Sequence, residues 1–285
     1  MWNVDCLGSP ATALVAVVGT PSASGSAANG DVVVISGICT EDVTVTQNGL
    51  TITNDQQRAA YLSSDGVQGQ LEIDGAKSVL VIGLLLGTAS GSFNFGGAGD
   101  AANLHVCNGA SALIEYCGIL SGPLDGLMVT GNSAMQIASS TIVGNGTAGD
   151  VAGFGIRAEG RSAVALGSES GGQAVTVSDN GGNGIAAIGG SSLDLFDAVI
   201  SDNGAYQGSL LGNSTAHLTS PSIVCAGTVS GNTCLPAGNL PAAIAVAGSS
   251  GVRIEGGAAV TRSAAAQALL VLGGSSALLQ GSVFA

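Results

Sequence analysis

The sequence predicts an all-β fold, a right-handed parallel β-helix solenoid of roughly ten coils of about 23 residues plus loop insertions. Two features of the pattern predict it: apolar residues alternate with polar ones over short stretches, and turn-forming residues interrupt these stretches every few positions. The composition agrees. With 47 glycines, 9% charged and 3% aromatic residues, Val, Ile, Leu and Ala must build the core, which suits a narrow repeating layer.

The segment 184–204 contains the whole repeating unit: a short apolar alternation, a Gly-Gly-Ser break, a second alternation, and a third that ends in Asp-Asn-Gly. A small residue after the first strand marks each coil, and the residues two and four places later are apolar in every copy. Met135, Leu193 and Val252 should therefore form one inward-facing column. By subtraction, the markers lie 23, 29, 29, 23, 36 and 25 residues apart; they are Ala110, Ser133, Ser162, Ser191, Ser214, Ser250 and Ser275.

Asparagine recurs at one turn of the unit, at Asn145, Asn180 and Asn203, each followed by glycine. Equivalent residues on stacked strands lie about 4.8 Å apart, so their side-chain amides can hydrogen-bond in a ladder. Asn and Gly also tolerate the left-handed backbone that such a turn requires. These asparagines are therefore predicted to be structural and not catalytic.

Two regions are predicted along the chain: an N-terminal capping segment, residues 1–30, and the parallel β-helix, residues 31–285. A stack of coils exposes strand edges at both ends, and the apolar patch Ala11–Val18 could cover one of them. Residues 267–285 still repeat the pattern, so we expect the β-helix to continue beyond residue 285 or a partner to cover that end.

The net charge of −13, with only six Lys and Arg residues, argues against a nucleic-acid partner. The longest strongly apolar stretch, Val79–Leu86, is far shorter than the ~20 residues of a membrane-spanning helix, so no membrane insertion is expected. Asp5 precedes the first apolar patch and the first basic residue is Arg58, so the start does not read as a signal peptide. We therefore expect either that a signal has been removed or that Met1 is not the natural start.

Six cysteines indicate disulfides and therefore an oxidising compartment: secreted, extracellular or at the cell surface, with the periplasm as an alternative. No CxxC and no zinc-finger spacing occurs, and His105 is interpreted as lying near a cysteine by chance. The spacing of the cysteines favours two disulfides that each close a short loop, and the two remaining cysteines are assigned to a third disulfide by elimination. The predicted pairs are Cys107–Cys117, Cys225–Cys234 and Cys6–Cys39.

The repeated Gly-Ile-x-x-x-Gly-Gly-Ser-Ser-Leu-x-Leu coil with its Asp-Asn-Gly end resembles right-handed parallel β-helix repeat proteins of the pectin-lyase-like superfold. The segment Val33–Ile52 resembles the opening coils of uncharacterised secreted bacterial members. The resemblance covers the chain from residue 30 to the end. It implies the fold and leaves the activity open, because this superfold hosts lyases, hydrolases, epimerases, adhesins and phage tailspikes.

The resemblance also implies what catalytic equipment to look for. Similar pectate lyases gather several Asp around calcium with an Arg as base, and pectin-hydrolysing relatives carry Asp-Asp, Gly-His and Arg-x-Lys elements. This sequence has no Asp-Asp and no Arg-x-Lys, and neither His105 nor His217 is next to glycine. These departures favour a protein without catalysis, and no catalytic residue is predicted.

Asp179 and Asp202 each precede a turn asparagine and should stack about 4.8 Å apart. They could supply two of the 6–8 oxygens of a calcium site, or act as acid and nucleophile in glycoside cleavage; apart from this calcium, no cofactor is expected. The simplest interpretation is two solvated turn aspartates. Arg157 and Arg161 share a coil with Glu159. Arg can bind a uronate carboxylate, but surface ion pairing with Glu159 or Glu169 is expected.

The leading hypothesis is a secreted or cell-surface structural or display β-helix without catalysis, which contacts polysaccharide or a cell-surface component. The alternative is a carbohydrate-active β-helix enzyme, a lyase or glycoside hydrolase, with a diverged site near Asp179, Asp202 and Arg157. A second alternative is a tailspike-like or adhesin fragment. A monomer is expected in preference to a trimer.

Overall fold

The computed structural model describes residues 1–6, 13–20, 23–39, 41–55, 60–62, 71–87, 102–122, 125–146, 153–167, 174–224, 242–256, 259–261 and 267–284. Regular structure in these residues is almost entirely β-strand, with one short helix. None of the helical structure described is long and apolar enough to cross a bilayer.

The N-terminal part contains β1 (Trp2–Asp5), α1 (Ala13–Val18), β2 (Gly19–Thr20) and β3 (Ala23–Ser24). The first coils comprise β4 (Val32–Cys39), β5 (Val43–Val45), β6 (Thr51–Asn54), β7 (Ala60–Leu62), β8 (Leu71–Asp74), β9 (Val79–Ile82) and β10 (Leu84–Gly87). The next coils comprise β11 (Ala102–Cys107), β12 (Ser111–Glu115), β13 (Gly118–Leu120), β14 (Asp125–Val129), β15 (Ala134–Ala138) and β16 (Thr141–Val143).

The second half continues with β17 (Ile156–Glu159), β18 (Ala163–Leu166), β19 (Thr176–Ser178), β20 (Ile185–Ile188), β21 (Ser192–Phe196), β22 (Val199–Ser201), β23 (Gly208–Leu211), β24 (Thr215–Thr219) and β25 (Ser222–Val224). The last coils comprise β26 (Ala242–Ala247), β27 (Gly251–Glu255), β28 (Ala259–Thr261), β29 (Gln267–Val271), β30 (Ser276–Leu279) and β31 (Val283–Phe284).

These strands form three parallel sheets along the stack, which confirms the predicted solenoid. The first sheet contains β1, β6, β9, β12, β15, β18, β21, β24, β27 and β30; the second contains β7, β10, β13, β16, β19, β22, β25, β28 and β31; the third contains β5, β8, β11, β14, β17, β20, β23, β26 and β29. The long strand β4 joins the first two sheets. Only β2 and β3 pair antiparallel among the described strands.

The inward column predicted from the repeat is confirmed. Met135, Val164, Leu193, Ala216 and Val252 are successive partners in the first sheet, and all five are buried. Inward and outward positions alternate because side chains on a strand point to opposite faces. Burying a residue such as Leu or Val stabilises the fold by about 1.5–3 kcal/mol, so a filled column holds successive coils together.

A ladder of buried amides fills the turn between the second and third sheets, as predicted. Asn145 Nδ2 donates to Asn180 Oδ1 at 2.9 Å, and Asn180 Nδ2 donates to Asn203 Oδ1 at 2.8 Å. Two members were not predicted: Asn103 Nδ2 donates to Asn145 Oδ1 at 3.0 Å, and Asn203 Nδ2 donates to Gln207 Oε1 at 2.7 Å. All five side chains are buried, so the ladder satisfies amides that water cannot reach.

Glycine at the start of the third-sheet strand makes room for this ladder. A Cβ added to Gly184 would lie 2.6 Å from Asn203 Nδ2, closer than real Cβ atoms approach. The same clash, at 2.7 Å, would occur at Gly126 against Asn145 and at Gly155 against Asn180. The Gly-Ile step of the repeat is therefore a packing requirement.

The marker serines form a second ladder, at the turn between the third and first sheets. Ser191 Oγ donates to the carbonyl of Ile188 at 2.8 Å and accepts from the backbone N–H of Ser162 at 3.2 Å. The turn before it passes through Gly189 and Gly190 with φ of 65° and 82°, a left-handed conformation that glycine adopts without strain. Ser133, Ser162, Ser191, Ser214 and Ser250 are all buried.

The N-terminal segment packs directly on the stack. Strand β1 pairs with β4, and α1 contacts β1 and β5 with Leu14 and Val18 fully buried in the core. A Cys6–Cys39 disulfide, with Cα atoms 5.2 Å apart, ties the segment to the end of β4; this is the pair that elimination predicted. The domain boundary at residue 30 and the continuation beyond residue 285 stay predictions.

The predicted Cys107–Cys117 disulfide is wrong, because both thiols are free and buried. Cys107 ends β11 in the third sheet, and Cys117 lies beyond β12 in the first sheet. The five residues of β12 alone extend the chain by about 16 Å, whereas bridged Cα atoms lie about 4.4–6.8 Å apart. Cys225 and Cys234 lie outside the described residues.

Candidate functional site

A groove of about 600 Å³ runs along the outer face of the first sheet, from β12 to β24. The register places one outward residue of each strand in line, and most of these residues are small. Because small side chains follow one another on five neighbouring strands, the face is a trough and not a ridge. The outward-facing lining residues are Ser111, Ala134, Gln136, Ala163, Ala165, Ser192, Asp194, Thr215 and His217.

A charged cluster lies at one end of this groove. Asp194, His217 and Arg253 are register partners on β21, β24 and β27. His217 Nε2 lies 2.8 Å from Glu255 Oε1, and its Nδ1 lies 3.7 Å from Asp194 Oδ1. Arg253 Nη2 lies 2.6 Å from Glu255 Oε2. The side chains of Asp194, His217 and Arg253 are 67%, 42% and 53% exposed, so solvent screens these ion pairs.

A second cluster occupies the outer face of the third sheet, where β8 lies beside β11. Glu72 and His105 are register partners, as are Asp74 and Cys107. His105 Nδ1 lies 3.5 Å from Glu72 Oε1, and Cys107 Sγ lies 3.6 Å from the same oxygen and 3.8 Å from Asp74 Oδ1. Carboxylate, imidazole and thiol are thus brought together from two coils.

Both clusters lower the pKa of a glutamate, and the cluster on the third sheet also raises the pKa of a thiol. The hydrogen bond with His105 lowers the pKa of Glu72, although burial opposes it. Burial, followed by the negative charges of Glu72 and Asp74, raises the pKa of the Cys107 thiol to about 12. In the groove cluster, hydrogen bonds with His217 and Arg253 lower the pKa of Glu255.

Arg157 lies further along the third sheet, on β17. Its Nε is 2.8 Å from Asp125 Oδ2 and its Nη1 is 3.6 Å from Glu159 Oε1, while the guanidinium stacks 5.6 Å above the ring of Phe154. Glu159 is one of the two partners that the sequence suggested, Glu169 lies outside the described residues, and the salt bridge with Asp125 was not predicted. Arg161 is exposed in the turn before β18, with φ of 66°.

Asp179 and Asp202 follow the paired strands β19 and β22 directly, in the turn that carries the amide ladder. Their backbones therefore stack as predicted, and the N–H of Asp179 donates to the carbonyl of Ser201 at 3.4 Å. Within the described part of the chain, one set of three potential metal ligands converges, and it consists of Glu72, His105 and Cys107. The calcium assignment to Asp179 and Asp202 stays a prediction.

Sequence reasoning missed both histidine clusters. Each cluster combines residues 23 to 38 positions apart, which the register brings side by side. The available signal was the alternation: Glu72 and Asp74, like His105 and Cys107, are two residues apart and so lie on one face of a strand. To predict that these two pairs are neighbours, one would need the exact length of the coil between them, and coil length varies along this sequence.

The three parallel sheets and the amide ladder define a right-handed parallel β-helix of the pectin-lyase-like superfold. The chain is similar to two solved structures. The pectate lyase Pel9A matches with a TM-score of 0.53 and 9% identity over 99% of this chain and 78% of its own. A pectin methylesterase, PemA from Erwinia chrysanthemi, matches with a TM-score of 0.44 and 12% identity over 89% of this chain and 78% of its own.

Identities this low show the fold alone. No protein-family model matches the sequence, and no curated protein matches it.

Proposed function

We propose that this protein is a secreted or cell-surface β-helix that binds a neutral polysaccharide along the groove of the first sheet without cleaving it. The observation that carries the proposal is the groove itself, a straight trough of about 600 Å³ lined by small side chains on five successive strands. Four steps of about 4.8 Å give it a length of about 19 Å, which suits an extended chain better than a compact metabolite.

The lining favours sugar hydroxyls. Gln136, Ser192 and Thr215 offer neutral donors and acceptors along the groove, and Ala163 and Ala165 provide apolar floor for a sugar ring. A lining of this kind can match both the hydroxyls and the C–H faces of a carbohydrate. The shared fold with a pectate lyase, an enzyme named for action on a polysaccharide, is consistent with this ligand class.

Electrostatics favour a neutral chain over an acidic one. At the charged end of the groove, Asp194 and Glu255 oppose a single guanidinium, that of Arg253, which Glu255 already binds. The whole chain has a net charge of −13. A polyuronate would meet repulsion here without an unengaged cation in the groove lining to receive its carboxylates.

The ionisation of the groove cluster argues against cleavage. A glycosidase needs a carboxylic acid that stays protonated near neutral pH, and such acids have raised pKa values. Hydrogen bonds with His217 and Arg253 lower the pKa of Glu255, so this group is a carboxylate at neutral pH. The Cys6–Cys39 disulfide supports an oxidising compartment and therefore a secreted or cell-surface location.

The test measures binding to a panel of polysaccharides by affinity electrophoresis and calorimetry. The neutral chains are xylan, β-glucan and galactan, and the acidic chains are polygalacturonate and alginate. Ala163→Tyr places a ring in the groove, and we expect it to weaken binding of a neutral chain at least about ten-fold. The matched control is Thr141→Tyr, an exposed outward position on the second sheet, which should bind like the wild type.

Unchanged binding by Ala163→Tyr, or binding of the acidic chains alone, would overturn the proposed ligand site. Saturable release of reducing ends or unsaturated sugars would overturn the non-catalytic assignment and favour the carbohydrate-active alternative.

A further inference from the structure

We infer that the outer face of the third sheet carries a zinc-binding site, with Glu72 Oε1, His105 Nδ1 and Cys107 Sγ as its three protein ligands. This inference goes beyond the proposed function, because the site lies on another sheet from the groove and its zinc affinity is measured without carbohydrate.

The β-helix register creates the site. Strands β8 and β11 are neighbours in the third sheet, and their Cα partners include Glu72 with His105 and Asp74 with Cys107. In each strand the two residues are separated by one inward-facing residue, so all four side chains lie on the outer face. The arrangement is a square of four potential ligands held by main-chain hydrogen bonds.

The distances fit a tetrahedral ion. Zinc bonds of about 2.0–2.3 Å place neighbouring ligand atoms about 3.3–3.8 Å apart. His105 Nδ1 lies 3.5 Å from Glu72 Oε1, and Cys107 Sγ lies 3.6 Å from that same oxygen. All three ligand atoms lie within 4.8 Å of one another, so the third edge closes with a small side-chain adjustment.

Two threonines orient the ligands. Thr130 Oγ1 lies 2.9 Å from His105 Nε2, and accepting the Nε2 proton would leave the Nδ1 lone pair directed towards Glu72. Thr44 Oγ1 donates to Glu72 Oε2 at 3.1 Å, which leaves Oε1 for the ion. Such outer hydrogen bonds fix the tautomer and orientation of metal ligands in zinc proteins.

The donor set selects zinc over calcium. Thiolate, imidazole and carboxylate together are typical of zinc, whereas calcium takes oxygen ligands only. Asp74, whose Oδ1 lies 3.8 Å from Cys107 Sγ, adds negative charge beside the ion. The side chains of His105 and Glu72 are 21% and 30% exposed, so the ion can enter from solvent and a water can complete the tetrahedron. Binding releases the thiol proton to solvent.

The experiment titrates the full chain with Zn²⁺ by calorimetry and with Co²⁺ by absorption, in a background carrying Cys117→Ser, Cys225→Ser and Cys234→Ser so that Cys107 is the one cysteine outside the Cys6–Cys39 pair. We expect one ion per chain, a thiolate-to-cobalt charge-transfer band, and a higher melting temperature in zinc. Cys107→Ser in this background should abolish the band and weaken zinc binding at least about ten-fold.

Glu72→Gln and His105→Gln keep side-chain size and should weaken zinc binding in the same way, which covers the case that the buried Cys107→Ser variant fails to fold. His217→Gln is the matched control, because it removes the other histidine of the chain and should leave zinc affinity unchanged. Absence of binding in the background chain, or a charge-transfer band and affinity that persist in Glu72→Gln and His105→Gln, would overturn the site.

Discussion

Two columns of polar side chains in this molecule both arise from the stacking of coils, but one is buried inside the stack and the other is exposed to solvent. The amide ladder places five Asn and Gln side chains inside the stack, where each one is buried and hydrogen-bonded to the next. The charged column of Asp194, His217 and Arg253 also places one residue per coil, but on the outer face of the first sheet, where solvent reaches all three. Coil stacking aligns the residues at equivalent positions into a column. A buried polar column stabilises the fold, whereas a column exposed to solvent contributes little to stability.

The largest effect is expected inside the ladder, with Asn180→Ala. Asn180 Oδ1 accepts from both the Nδ2 and the backbone N–H of Asn145, so its removal deprives the backbone N–H of its acceptor and leaves Nδ2 with only the carbonyl of Ile119, at 3.3 Å. Each unsatisfied buried group costs about 1–3 kcal/mol, and we expect a loss of about 3 kcal/mol in the free energy of unfolding. Urea unfolding followed by circular dichroism measures it.

The neighbouring Asp179→Asn is the control for this variant. Asp179 is half-exposed with φ of 54°, a conformation that Asn tolerates, so its unfolding free energy should stay within about 0.5 kcal/mol of the wild type. Equal effects of the two substitutions would show that burial does not separate the columns.

The Glu72–His105 pair lies between these two extremes, because both side chains are partly buried. The pKa of Glu72 in the folded protein is lower than the ordinary value of 4.5. The Glu72 carboxylate therefore stabilises the fold at pH values above 4.5, and this contribution is lost as the pH falls through the lowered pKa. With a chelator present, Glu72→Gln should cost about 1 kcal/mol at pH 7, and the difference from the wild type should shrink from pH 5 to pH 3. A difference that does not change with pH would contradict this ionisation.

The fold and its inward columns could be predicted from sequence because they depend on residue type at repeated positions. Met135, Leu193 and Val252 needed only the period of the pattern and the alternation of a strand. The turn that contains the asparagines could be predicted because a glycine follows each of Asn145, Asn180 and Asn203. Asn103 and Gln207 escaped because neither stands in an Asn-Gly step, although both occupy the same ladder.

The candidate sites could not be predicted because they depend on register between coils of unequal length. Glu72 and His105 are 33 positions apart, a separation longer than the coil of about 23 residues, so the sequence does not reveal that they are partners. Proximity in sequence misled in the same way for Cys107 and Cys117. Ten residues suggested a small loop, but an extended first-sheet strand separates the two thiols.

The smallest effect is expected on the outer face, with His217→Gln. This substitution removes contacts with Glu255 and Asp194, yet Arg253 still binds Glu255 and water replaces the rest. We expect a melting temperature within about 2 °C of the wild type, and a difference that 1 M salt removes.

His105→Gln, in the partly buried cluster of the third sheet, is the matched control and should lower the melting temperature more. If His217→Gln were the more destabilising of the two, exposure would not predict which polar column holds the coils together. A small effect on stability combined with weaker polysaccharide binding would show that His217 contacts the ligand, while the buried columns stabilise the stack.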